Sequence, residues 1–282
     1  MSIPLTCPCG REFEVPEAEA GRVVRCRACG RVHAVPGREK TSADRGVLRT
    51  LTRLAVGGAA ALVLLALFLP AVRTSRGAAR HAQCVNNLKL IGLAMRNYHE
   101  VYGRYPPAAI VDGDGRPLLS WRVAILPFID NNALYAKFRL DEPWDGPHNV
   151  ALLGAMHAVY ACPGDTTPDS GMTSYRAVVG PRTPFPPDSR PVSEADLTDG
   201  LDRTLLVAEA RQAVPWTKPD EVPYKIAATP EGFRAPNGAH VGGVNALFAD
   251  GTVRFIKSRI APRVLRALLT RDGGETVSSD EF

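Results

Sequence analysis

Charge of one sign, aromatic side chains and cysteine are all scarce in this sequence. Among its 282 residues 7% are aromatic, six are cysteine, and the formal net charge is only +5. So mild a balance does not by itself suggest nucleic-acid binding, which shows as Lys and Arg clustered on one face. No phosphate-cradling glycine loop, nucleophile elbow or catalytic metal motif occurs in the chain. Without those signatures the expectation is a protein that is not an enzyme.

One absence is local. From Leu54 to Val72 the chain reads LAVGGAAALVLLALFLPAV, nineteen residues without a charge, closed by Arg53 and Arg73. At about 1.5 Å per helical residue this run reaches roughly 28 Å, close to the ~30 Å hydrocarbon core of a bilayer. The expectation is a transmembrane helix over Leu54–Val72. An all-apolar buried helix or a cleaved secretory signal are the alternatives, but a signal starts near residue 1 and this run follows a small domain. Ten Lys and Arg against six Asp and Glu fall in residues 1–53, and the remainder of the chain is near balance. Beside the span, Arg38, Lys40, Arg45, Arg49 and Arg53 precede it and Arg73, Arg76, Arg80 and Lys89 follow; five against four votes weakly for a cytosolic N-terminus and an extracytoplasmic C-terminal domain, that is, a single-pass protein of the inner membrane. The chain then divides into a small N-terminal domain (1–37), a basic juxtamembrane linker (38–53), the span (54–72) and an outer domain (73–282). Continuation of the helix back into the linker is a competing reading of 38–53.

The cysteines that are present come in pairs. Cys7 and Cys9 precede Gly10, and Cys26 and Cys29 precede Gly30. Four soft ligands from two glycine-tightened turns suit tetrahedral zinc, and fewer than about 40 residues cannot bury enough surface unaided. The expectation is a structural zinc ribbon of short strands with Cys7, Cys9, Cys26 and Cys29 as ligands, leaving no open catalytic position. Disulfides or free thiols are the alternative, and reduced cysteines agree with a cytosolic location. His33 could replace a ligand, but the expectation is a place on the ribbon surface.

After the span, Cys84, Leu88, Ile91, Met95, Tyr98 and Tyr102 recur at intervals of three and four, one apolar seam on a helix that Gly103 and Pro106-Pro107 end. The run LPAVRTSRGAARHAQCVNNLKLIGLAMRNYHEVYGRYPPA, then SWRVAILPFIDNNALY (120–135), PWDGPHN (143–149), YACPGD (160–165), TSYRAVVG (173–180), LTDGLDRTLLVAE (197–209) and HVGGVNALFADGTVRFI (240–256) follow in order. That series closely resembles the DUF1559 family of planctomycete pilin-like proteins. The resemblance implies a pilin-like domain and a family motif of His, nine residues, then Asp-Gly, here His240, Asp250 and Gly251. Members of that family usually begin with a prepilin leader, with a Gly-Phe site and a glutamate five residues into the mature helix; neither occurs in this stretch, and a ribbon stands in the leader's place. A permanently anchored relative is the expectation.

The outer domain reads as α+β: a long N-terminal helix on a mostly antiparallel sheet. Residues 120–138 suit a helix broken at Pro127. Tyr175–Val179, Leu205–Ala208, Val244–Phe248 and Thr252–Ile256 suit strands, with Asp250-Gly251 a hairpin turn between the last two. Arg259–Leu269 suits a closing helix. Cys84 and Cys162 are the cysteines after the span; an oxidising location would join them as a disulfide, and two separate buried thiols are the alternative. His240 with Asp250 invites a hydrolase reading, against which His240 bonding a loop and Asp250 shaping a turn is preferred. Asp112-Gly-Asp114-Gly suits an ordinary turn more than a calcium loop. Glu209 suits a buried partner for an arginine, or a ligand contact. Trp121, Trp144 and Trp216 suit core anchors.

The expected function is a membrane-anchored structural or interaction protein with zinc as structural cofactor and with pilus or secretion components as protein partners. The alternative is an extracytoplasmic protein that binds a solute or glycan.

Overall fold

A computed structural model describes residues 2–37, 42–165, 171–229, 240 and 242–282. The chain divides into two compact units, Met1–Val72 and Arg73–Phe282.

The first unit begins with two hairpins. Strand β1 (Ser2–Thr6) pairs antiparallel with β2 (Glu12–Pro16), and β3 (Val23–Arg25) pairs antiparallel with β4 (Val32–Ala34). Along these strands the inward positions alternate with exposed ones, the period of two that a half-buried strand requires. Little is enclosed: Cys7, Val15, Cys26 and Val35 are the buried apolar residues. Helix α1 (Ser42–Tyr102) then runs for 61 residues, beginning in the first unit and ending in the second. Residues 38–41 of the expected linker lie outside the described residues, and 42–53 are helical.

The transmembrane reading of Leu54–Val72 is corrected here. Among the described residues no helix is long and apolar enough to cross a membrane. The described side chains of that stretch are Leu54–Ala59, Leu62, Val63 and Ala66; those of 60, 61, 64, 65 and 67–72 lie outside the described residues. The transmembrane part of the fold class and the single-pass inner-membrane location both fall with that reading, together with the cytosolic and extracytoplasmic assignments built on the span.

In the second unit the α+β expectation holds. Strands β5 (Ala109–Val111) and β6 (Pro117–Ser120) form a hairpin. Helix α2 (Trp121–Ala124), a 3-10 turn over Leu126–Ile129 and helix α3 (Asn132–Tyr135) replace the single helix expected over 120–138. Pro127 falls inside the 3-10 turn, where its missing N–H does no harm. The main sheet has the order β11-β10-β8-β7-β9, built from β7 (Met172–Val179), β8 (Leu205–Pro215), β9 (Val222–Pro223), β10 (Gly243–Phe248) and β11 (Val253–Lys257). All its pairings are antiparallel except β7 with β9. Helix α4 (Tyr224–Ala227) follows β9, and α5 (Pro262–Leu269) follows β11.

Both faces of the sheet are covered. One carries Tyr175, Ala177, Val207 and Leu247 against the α1 seam of Cys84, Leu88, Ile91 and Met95. The other carries Ala208, Ala246 and Phe248 against Val264, Leu265 and Leu268 of α5. That is why β8 and β10 read as near-continuous apolar runs instead of alternating ones. Gly92 has a packing reason: a Cβ there would stand 2.6 Å from Leu247 Cδ1, so α1 comes this close to β10 only without a side chain. The helix ends at Gly103, whose φ of +67° closes a 2.7 Å bond from its N–H to the His99 carbonyl. Tyr98 still packs on the core, whereas Tyr102, the last residue of the expected seam, is exposed.

Candidate functional site

Two groups of ligand-bearing side chains stand out, one in each unit. In the first, the turn after β1 and the turn after β3 are held alike. Cys7 N–H donates to the Arg11 carbonyl (2.9 Å) and Cys26 N–H to the Arg31 carbonyl (2.8 Å), while Gly10 and Gly30 return N–H bonds to the Cys7 and Cys26 carbonyls. Both glycines adopt positive φ, 85° and 75°, which folds the turn tightly enough to bring its cysteines inward. The four sulfurs lie within 4.8 Å of one another, with Cys7 and Cys29 3.5 Å apart and Cys9 and Cys26 3.9 Å apart. A tetrahedron of ~2.3 Å metal–sulfur bonds has edges of about 3.8 Å, so the two measured pairs stand close to the spacing one metal needs.

The electrostatics say the same. Backbone N–H groups of Ala28 and Cys29 favour the Cys26 thiolate and pull it down to about 6. Cys7 receives similar help from the Cys9 backbone, but burial and the three neighbouring cysteines outweigh it and push Cys7 up to about 12. Four clustered sulfurs cannot all ionise without a cation among them. His33 is not simply on the surface: its Nε2 lies 3.2 Å from Cys7 Sγ, and its ring packs edge-on against Phe13. This places it beside the four sulfurs, against Cys7.

The second group is in the buried half of the sheet. Cys84 of α1 and Cys162 form a disulfide across 78 residues, with Cα atoms 5.3 Å apart. Against it sit Glu209 of β8 and His240, the latter just ahead of β10. His240 Nε2 is 2.9 Å from Glu209 Oε1, and Cys162 Sγ is 3.7 Å from that oxygen and 3.9 Å from Nε2. Asn245 donates its backbone N–H to Glu209 Oε2 at 2.8 Å and its side-chain amide to both oxygens at 3.2 Å. His81 of α1 completes the group, 2.9 Å from Asn245 Oδ1 and with its ring centroid 4.8 Å from that of His240.

His240 therefore bonds a strand carboxylate, not a loop, and Glu209, for which an arginine partner or a ligand contact was expected, has a histidine and an amide for partners. Asp250 acts elsewhere: its Oδ1 accepts from the N–H and hydroxyl of Thr252 at 2.8 and 2.7 Å, shaping the β10–β11 turn in which Gly251 has φ +83°. The family motif thus marks two separate jobs. Asp112 likewise makes a turn, accepting N–H bonds from Asp114 and Arg116. Trp121 and Trp216 are fully buried, and Trp144 packs partly buried at the edge of the core.

Sequence reasoning missed the clamp of His81 and Asn245, because each is an unremarkable polar residue until α1 and β10 lie side by side. It also missed Arg122 and Glu221, a fully buried pair at 2.8 Å in which Arg122 additionally donates to the Tyr175 carbonyl and Ser120 hydroxyl. The only signal was an arginine inside the apolar run SWRVAIL. A cleft of about 350 Å³ is lined by Tyr98, Tyr102, Arg104 and Tyr135.

A family model described as "Protein of unknown function (DUF1559)" matches residues 73–231 and 217–263. No curated protein and no solved structure matches the chain.

Proposed function

The chain belongs to the DUF1559 family, and from that premise we propose that it is a structural and interaction protein, not an enzyme. It assembles through the exposed apolar run of α1 with further copies of itself and carries a zinc-closed ribbon as a docking module. One observation carries this reading. Between Cys84 and Met95 the apolar seam of α1 is buried, whereas Leu51, Leu54, Val56, Leu62 and Val63 are 57–69% exposed. Covering such a side chain is worth about 1.5–3 kcal/mol, and a helix stretch with this many exposed apolar side chains marks an interaction surface.

A second copy suits the patch because Gly57, Gly58 and Ala59 lie within it and let two helix backbones approach closely. Zinc suits the four cysteines because four thiolates in a tetrahedron leave no vacant position, so the metal holds the ribbon and does no chemistry. The burial of His240 and the turn-forming duty of Asp250 speak against a hydrolase.

Sedimentation of the full-length chain over a range of concentrations tests the reading. Self-association is expected, and Leu54→Glu with Val56→Glu should return the protein to monomers. A wild-type chain that stays monomeric throughout, or that leaves solution for lipid vesicles instead of for itself, overturns it. A Tyr102→Ala chain that assembles normally yet loses its function in cells would move the reading to the tyrosine-lined cleft, where a solute or glycan would have to bind.

A further inference from the structure

We propose that Cys84, Cys162, Glu209 and His240 form a second metal site, closed while the disulfide is intact and opened by its reduction. The ligand class is a soft divalent cation, with Zn²⁺ as the type, bound by two sulfurs, one ring nitrogen and one carboxylate oxygen. The inference is independent of how the chain assembles and of the metal in the ribbon.

Three observations converge. First, one ligand atom from each of the four residues lies within 4.8 Å of all the others, and all four residues are buried. A tetrahedron with ~2.0–2.3 Å bonds has edges of roughly 3.3–3.8 Å. The sulfur-to-oxygen and sulfur-to-nitrogen distances of 3.7 and 3.9 Å close by a few tenths, and the nitrogen-to-oxygen distance of 2.9 Å opens by as much. The two sulfurs separate once the bond between them is gone, since Cα atoms 5.3 Å apart leave both side chains room to rotate.

Second, Glu209 is a fully buried carboxylate. Among the described residues its hydrogen-bond partners are the His240 ring and the amides of Asn245. A buried carboxylate held by a ring nitrogen and amides is a ready ligand for a cation. Third, the ligands are oriented from behind. Asn245 fixes the carboxylate, and His81 holds Asn245 while its ring lies against that of His240. Outer partners of this kind set ligand geometry in metal sites.

The chemistry balances. A phosphine reductant delivers two electrons to the disulfide and takes an oxygen from water, whose two protons go to the new thiols. The cation then displaces both thiol protons into solution and binds the two thiolates, Nε2 of His240 and the Glu209 carboxylate. A small disulfide oxidant reverses this: it accepts two electrons from the thiolates and, with two protons from water, leaves as two thiols. The Cys84–Cys162 bond re-forms and the cation departs.

The test counts zinc on the full-length chain by mass spectrometry after desalting, with and without phosphine. Reduction is expected to raise the bound zinc by about one equivalent over the oxidised chain, and His240→Ala and Cys162→Ser should each abolish that increment. Circular dichroism of the oxidised His240→Ala chain checks that it is folded, since its disulfide is retained. Cobalt in place of zinc should add a sulfur-to-metal charge-transfer band on reduction, weaker than that of a four-sulfur site. Equal metal content in both redox states overturns the proposal, as does an increment that survives both substitutions. The ribbon metal is counted in the oxidised chain, so its absence would fail the ribbon reading alone.

Discussion

Residues 2–37 and the unit from Arg73 onward use cysteine for opposite purposes. In the ribbon, two valines and two cysteines are all that is buried of its apolar residues, so the sulfurs and whatever joins them take the place of a core. In the larger unit Leu88, Trp121, Tyr160, Trp216 and Leu247 are fully buried among dozens of neighbours, and the Cys84–Cys162 bond is added to a core that stands already. The lesson is one of scale. A chain segment below about 40 residues cannot offset its conformational entropy by burial and must close itself by ligation, whereas one of some 200 can.

The comparison breaks most visibly at the ribbon. Removing the metal with a chelator, or replacing Cys26 with Ser, should melt both hairpins outright, because structural zinc supplies about 10–16 kcal/mol in domains of this size. Amide spectra of residues 2–37 should collapse while those of the larger unit stay unchanged; dispersed ribbon signals without metal would sink the idea. The dependence on pH follows from the thiols. Metal uptake displaces their protons, including the one Cys7 holds up to about 12, so chelators should win more easily as the pH falls and less easily as it rises.

A smaller effect tests whether the larger core is as self-sufficient as described. Arg122→Met leaves Glu221 buried without its partner and should cost about 3–5 kcal/mol in urea denaturation. The double change Arg122→Met with Glu221→Leu should recover most of it. An equal loss in single and double variants would mean that Arg122 matters for its bonds to Tyr175 and Ser120 and not for the pair.

Smallest of the three is the disulfide. Cys84→Ser should lower stability by about 2–4 kcal/mol, by freeing the unfolded chain, yet leave the sheet and the α1 seam intact. Loss of the folded state in that variant would show that the second unit, like the first, depends on its cysteines.

Much of this was legible in the chain. The paired cysteines with their glycines announced a ribbon of two hairpins whose four sulfurs come together and could hold a metal, because that spacing is local. The seam from Cys84 to Met95 and the strands around Val207 and Leu247 announced themselves by period and by apolar runs. The Asp250-Gly251 turn was legible because a glycine at positive φ is a local requirement. The apolar stretch at Leu54–Val72 announced a membrane crossing that the described helix does not bear out, since hydropathy in one window is silent about the helix in which it sits.

By itself, then, the sequence determined what depends on neighbours in the chain: turns, periodicity, ligand pairs and family. Only the tertiary structure decided what depends on residues far apart. It brought Glu209 to His240, gave Arg122 its Glu221, and set Asn245 and His81 behind the carboxylate. Those partners lie 31, 99, 36 and 164 positions apart. Over such distances no spacing rule acts, and only the close packing of a helix and a sheet against one another selects which polar groups meet.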